Sequence, residues 1–232
     1  MITHTYRILV GANGWLHPEW QTQFYPDDLP NDWQLGYYSN EFPVVLLPAT
    51  YWQSSADDLP GWLEDSSDNL YIICEVPPEM LQQSNDEAIK AINEFIEKLS
   101  LLGDHCAGLL LPVADYQADI DEILSKLDSP FPLCIEAASD ISADSNKSIQ
   151  KMCKQRNIGL CWHGAGSPAG LGYGQLAMTR LNSHGMELRQ LRGVVETILH
   201  TTTLEQTSVL IFDGHPPDLE AIRHAGVILD LF

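Results

Sequence analysis

Several polar side chains stand where apolar runs of this chain stop. Glu75 follows Tyr71-Ile72-Ile73-Cys74, Glu136 follows Leu133-Cys134-Ile135, His163 ends Ile158-Gly159-Leu160-Cys161-Trp162, and Asp213 follows Val209 to Phe212, with His215 two residues further on. Carboxylates and imidazoles brought together suit a divalent metal, or an acid–base pair where burial separates their pKa values. They come from different runs, so their spacing carries no motif, and solvated rim residues are the default alternative. Glu136 is the most telling. A carboxylate closing an apolar run is costly to desolvate unless it is paired or meets water or a ligand. Arg180, near the end of Leu176–Leu181, is its expected partner, tying two strand ends, and Glu136 is expected to face a pocket walled by Trp15 or Trp52.

Elements that position these groups can be read from periodicity. Eight short apolar runs are expected as strands: Arg7–Ala12, Val44–Leu47, Tyr71–Cys74, Gly108–Leu111, Leu133–Glu136, Ile158–His163, Leu176–Leu181 and Val209–Phe212. Segments of helical spacing alternate with them, which is the pattern of parallel βα repeats. Helices are expected around Trp33–Tyr38, over Leu59, Trp62 and Leu63 after a start at Ser55–Asp58, from a Ser84/Glu87 capping box to Leu99, and over Asp119–Leu127. Others follow the polar stretch Ser139–Lys147, at Glu187–Leu199, and at Leu219–Ala225. Eight strands with this alternation predict a single TIM-type (β/α)8 barrel domain over residues 1–232, whose strand ends converge on one opening.

Composition narrows the function classes. Net charge is −20, from 32 acidic and 12 basic residues, and no Lys or Arg occurs between Arg7 and Lys90. Such a surface repels phosphate backbones, so no nucleic-acid partner is expected. No apolar run reaches the roughly 18 residues of a membrane span, so no membrane partner is expected either. The start of the chain shows no leader pattern, and the five cysteines, without a Cys-x-x-Cys pair, read as reduced thiols of a cytoplasmic protein, with Cys74, Cys134 and Cys161 buried. His17 and His184 lack partners at ligand spacing, so no metal site is assigned and the cofactor is unknown. Gly164–Gly174 lacks the Gly-Lys-Ser/Thr ending of a phosphate loop and is expected to be a flexible loop; no Gly-x-Ser-x-Gly elbow is present.

The first run leads into Gly11-Ala12-Asn13-Gly14-Trp15, then Trp20, Phe24-Tyr25-Pro26 and Leu29-Pro30. This series resembles the opening of the YecE-like family, also called domain of unknown function 72, whose pattern is Gly-x-Ser-Gly-Trp, Trp, Phe-Tyr-Pro, Leu-Pro. The resemblance implies a TIM-type barrel. It also marks departures. The family's Val-Glu-x-Asn-x-Thr-Phe-Tyr stands as Val45 to Trp52, its Lys-x-Pro as Glu75-Val76-Pro77, its Gln-Leu-Pro as Leu110-Leu111-Pro112, and its Glu-x-Arg as Glu136-Ala137-Ala138. Its Arg-x-His stands as Arg180-Leu181-Asn182 and its Phe-Asn-Asn as Phe212-Asp213-Gly214.

Replacing Lys and Arg by Glu and Ala changes the sign of the mouth, which points away from anions and toward a small neutral or cationic molecule. Glu136, Arg180, Glu75 and Asp213 are the candidate catalytic residues. Asn13, Trp15, Trp20, Tyr25, Thr50, Tyr51, Trp52, His163 and Asn182 are the candidate ligand contacts, the aromatics either flooring a pocket or packing the loops over the barrel. The alternative reading is a degenerate barrel that binds or scaffolds without catalysis.

Overall fold

The computed structural model describes residues 8–55, 59–114 and 118–232. Arg7, and Ala56–Asp58 of the expected helix start, lie outside the described residues. Eight strands form one parallel sheet: β1 (Ile8–Asn13), β2 (Val44–Leu47), β3 (Tyr71–Glu75), β4 (Cys106–Val113), β5 (Leu133–Ala137), β6 (Gly159–Leu160), β7 (Leu176–Asn182) and β8 (Thr207–Asp213). Their order is β6-β5-β4-β3-β2-β1-β8-β7, so only the β6–β7 seam remains to be closed. Trp162 closes it. Its amide donates to the Met178 carbonyl and its carbonyl accepts from the Arg180 amide, both at 3.0 Å, as an isolated parallel bridge to Thr179. The molecule is a TIM-type α/β barrel with one thin seam.

Side-chain parity separates two cores, because successive residues of a strand face opposite sides of the sheet. Leu9, Val44, Leu46, Ile73, Leu110, Cys134, Cys161, Met178, Val209 and Ile211 form one buried cluster inside the barrel. The alternate residues, among them Val45, Ile72, Leu109, Ile135, Leu181 and Phe212, pack outward in the larger core that includes the helices. The same parity carries Asn13, Glu75, Glu136, Arg180 and Asp213 to the interior side at the C-terminal ends of their strands. A polar layer caps an apolar plug.

Helices cover the outside: α1 (Asn31–Ser39), α2 (Ala49–Ser55), α3 (Leu59–Leu63), α4 (Pro78–Leu81), α5 (Asn85–Leu99), α6 (Ala118–Lys126), α7 (Ala143–Arg156), α8 (Leu188–Thr201) and α9 (Leu219–Leu229), of which all but the short α2 and α4 follow the expected periodicity. In α5, Ile92, Phe95, Ile96 and Leu99 are buried on one stripe and Ile89 is half-buried beside them. Its expected capping box is not formed. Ser84 sits at the N-cap position, but its hydroxyl donates to the Glu87 carboxylate at 2.6 Å, a charge-assisted bond that takes the place of the side chain to backbone cap. A reciprocal capping box is found instead at Glu187 and Gln190, opening α8. All five cysteines are buried and unpaired by disulfides, Cys74, Cys134 and Cys161 among them.

Three expectations need correction. β6 shortens to two residues plus the Trp162 bridge, because only Gly159 and Leu160 register against β5. β4 lengthens to Cys106–Val113. The glycine-rich stretch is anchored at its C-terminal half: Leu171 is fully buried, and the Gln206 amide donates to the carbonyls of Leu171, Tyr173 and Gly174 at 3.0, 3.2 and 2.9 Å. Gly174 needs to be glycine, since its φ is +66° and a Cβ would lie 2.5 Å from the Gly159 nitrogen.

Candidate functional site

Arg180 is the hub of the mouth. Its Nε and Nη2 donate to Asp213 Oδ2 and Oδ1 at 3.0 and 2.9 Å, a bidentate clamp between adjacent strands. Its Nη1 reaches Glu136 Oε2 at 2.6 Å and stands 3.6 Å from Glu75 Oε1. One guanidinium therefore ties β7 to β8, β5 and β3. The link to β5 passes over the thin β6–β7 seam. The network extends outward through Asn13, whose Nδ2 donates to Asp213 Oδ1 at 2.8 Å, and through Glu75, whose Oε2 accepts from the Ala49 amide at the start of α2 at 3.0 Å. Asn13 Oδ1 is buried with no hydrogen-bond partner.

The electrostatics follow from the count. Three carboxylates share one guanidinium, which leaves two surplus negative charges if all are ionised. Glu136 carries the consequence. Burial pushes its pKa above the ordinary carboxylate value, the charges of Arg180 and His163 pull against this, and Glu75 and Asp213 push it further up. A 2.6 Å contact with Arg180 alone would argue for a lowered value. The upward direction stands because the group is buried and must share its cation. For Arg180, burial opposes the charge, but the bonds to Asp213 and the nearby carboxylates outweigh it and hold the guanidinium more firmly protonated.

Glu136 Oε2 is thus engaged, and Oε1 points the other way, 3.4 Å from His163 Nε2. Beside this pair lies a cavity of about 420 Å³ lined by Pro78, Pro112, Val113, Ala114, Glu136, Ala137, Ala138, Ser139 and His163. Glu136 does face a pocket, but Trp15 and Trp52 are not among its walls. Trp52 packs edge-on against Phe95 at 4.6 Å on the outer side of the barrel, and Trp15 is buried against Tyr51 and Trp62 at 5.1 and 5.4 Å. The pocket walls come instead from the ends of β4 and β5 and the residues just after them, with Pro78 of α4 and His163.

The remaining candidates separate into two groups. Trp20 is wholly buried and donates to the Pro217 carbonyl at 3.3 Å; Tyr25 is buried with its hydroxyl on the Trp15 carbonyl at 2.7 Å. Tyr51 bridges to Leu16, accepting from its amide at 3.1 Å and donating to its carbonyl at 3.3 Å. These aromatics are tied to the loop after β1 by packing and hydrogen bonds. Thr50, Asn182 and His215 are exposed at the rim, Asn182 accepting from the His184 amide at 3.1 Å.

Cys161, expected from the sequence only as a buried thiol, joins the site. Its Sγ, a Glu136 carboxylate oxygen and a His163 ring nitrogen all lie within 4.8 Å of one another. The sequence carries a signal for it: Cys161 and His163 are two apart in the expected run Ile158–His163, and although only Gly159–Leu160 and the Trp162 bridge form there, the period of two still turns both to the same side. The lining residues Pro78, Val113 and Ala114 give no comparable sign, being an ordinary helix start and an ordinary strand end.

The profile of the family described as "Protein of unknown function DUF72" matches residues 9–231. The chain belongs to this family. A DUF72 family protein from Thermotoga maritima, TM1631, shares 15% identity with the chain at a TM-score of 0.72, over 96% of this chain and 99% of that one. The crystal structure of AsfvAP:AG is similar in fold, with 12% identity and a TM-score of 0.59, over 97% and 98% of the two chains. No curated protein matches the chain. At these identities the solved structures speak to the fold alone.

Proposed function

We propose that the C-terminal mouth of the barrel binds a small neutral or cationic molecule and acts on it by acid–base chemistry, with Glu136 as the group that meets it. The observation that carries this reading is the position of Glu136: one carboxylate oxygen is held by Arg180, the other stands 3.4 Å from His163 Nε2, and both residues line a cavity of about 420 Å³. Such pockets are the usual places for small ligands, largely apolar with a few converging polar groups. The surplus negative charge at the mouth favours a cation or a hydrogen-bond donor over an anion. A raised Glu136 pKa brings its proton exchange toward neutrality, and His163 stands within reach to take or return that proton.

A screen of metal-free protein by thermal shift, against amines, amino alcohols, neutral sugars and matched carboxylic acids, tests this. Amines or neutral polyols should raise the melting temperature and the acids should not, and Glu136→Gln should fold but lose the response. A response to acids alone, or one unchanged in Glu136→Gln, overturns the reading. The degenerate-barrel alternative has one observation in its favour: all three Arg180 nitrogens already donate to carboxylates, which ties that cation into the barrel and leaves only two of its five N–H groups for a substrate. Binding without turnover of any responding compound would select it.

A further inference from the structure

We propose that Glu136, Cys161 and His163 form a binding site for a divalent metal ion of the zinc type at the barrel mouth. This deepens the reading of the mouth as the functional site and rests on it. The ligand atoms converge to within 4.8 Å of one another, and Glu136 Oε1 and His163 Nε2 already stand 3.4 Å apart. Metal–ligand bonds of about 2.0–2.3 Å in tetrahedral array place ligand atoms roughly 3.3–3.8 Å apart, so only a small contraction around an ion is needed.

The donor set selects the metal. A thiolate, an imidazole and a carboxylate together suit zinc, whereas magnesium and calcium take oxygen ligands and gain little from sulfur. Three protein ligands with an open fourth position is the arrangement of catalytic rather than structural zinc. The open side is available, because His163 is half-exposed and both it and Glu136 line the cavity. Cys134 makes the contrast. It lies in the same interior core, but no imidazole and carboxylate converge on its sulfur to match the Cys161 cluster among the described residues.

The surroundings orient the ligands as outer-shell groups do in metal sites. Arg180 holds Glu136 Oε2 and leaves Oε1 directed at His163, and Asp213, itself held by the Asn13 amide, in turn fixes Arg180. Glu75 and Asp213 supply negative charge that offsets the guanidinium, so a dication is not repelled. The Cys161 thiol gives up its proton on binding, and that proton leaves to solvent through the mouth.

The test uses the full chain, stripped with chelator and then loaded with Zn²⁺ or, as a spectroscopic probe, Co²⁺. One equivalent of zinc should survive gel filtration, and Co²⁺ should produce a thiolate-to-metal charge-transfer band in the near ultraviolet. Cys161→Ser should abolish that band. His163→Gln, at an exposed position that does not endanger folding, should weaken zinc binding by more than about 100-fold, beyond the roughly 10- to 100-fold of an outer-shell group. Absence of stoichiometric zinc, or zinc and the cobalt band unchanged in both variants, overturns the proposal. The two readings fail separately: organic ligands that still respond through Glu136 in protein unable to hold zinc leave the first standing, and zinc held by protein that responds to no organic ligand leaves the second.

Discussion

Arg180 Nη1 and Glu136 Oε2 stand 2.6 Å apart across the mouth, joining β7 to β5 over the seam that β6 barely fills. Both side chains are largely buried, with 13% and 14% of their surfaces exposed, so the pair is set in low-dielectric surroundings with Asp213 and Glu75 beside it. Its behaviour on mutation follows from that setting.

Arg180→Met should be strongly destabilising. It leaves three carboxylates facing one another without their cation, and breaking a buried pair from one side costs about 3–5 kcal/mol. Lowering the pH should recover part of the loss as the acids protonate. Urea unfolding at neutral and mildly acidic pH measures both; a loss below about 1 kcal/mol, the size of a surface pair, would contradict the hub role.

Glu136 should leave its mark on the pH dependence of stability. Its pKa in the folded chain lies above its ordinary value of 4.5, so the folded state binds more protons than the unfolded one between those two values. The stabilisation tied to its protonated form is complete below 4.5 and is lost as pH rises through the folded value. In Glu136→Gln this part of the fall should vanish from a series of denaturation midpoints against pH. An undiminished slope in the variant would mean that other groups cause it.

Thr179 offers a stabilising substitution. It is fully buried on the outward face of β7, and its hydroxyl has no hydrogen-bond partner. Thr179→Val keeps the shape and removes an uncompensated polar atom, with an expected gain of about 1 kcal/mol. Thermal unfolding of the two chains decides it, and a loss of stability would mean that the hydroxyl is satisfied in solution.

Gln206→Leu should loosen the glycine-rich loop. The amide spans three carbonyls of Leu171–Gly174, and the variant leaves them without that donor. Faster amide exchange confined to residues 164–174 and a loss of about 1–3 kcal/mol are expected. Exchange unchanged there would show that Leu171 packing alone holds the loop.

Nucleic acid should not bind. With a net charge of −20 and no Lys or Arg from Ile8 to Ile89, the chain has little to offer a phosphate backbone. Salt-sensitive retention of duplex or single-stranded nucleic acid at moderate ionic strength would overturn this expectation.

Periodicity in the sequence determined the eight strands, their parallel order and the interior or outer assignment of most of their side chains, because a strand's alternation is a local property of two residues. Family membership was equally legible, from Gly11-Ala12-Asn13-Gly14-Trp15 onward, since those residues are contiguous. The meeting of Arg180 with Glu136, 44 positions apart, could be anticipated from the cost of leaving a strand-end carboxylate alone. Its division among three acids could not. That depends on how far the barrel closes, and closure rests on a seam reduced to a single bridge at Trp162. The pocket walls likewise belong to tertiary structure: whether Trp52 turns to the mouth or to Phe95 is decided by how α2 packs against α5, and no local pattern encodes that choice. The approach of Cys161 and His163 to Glu136 combines both, a period of two on either side of the Trp162 bridge and a neighbouring strand end that only the closed barrel supplies.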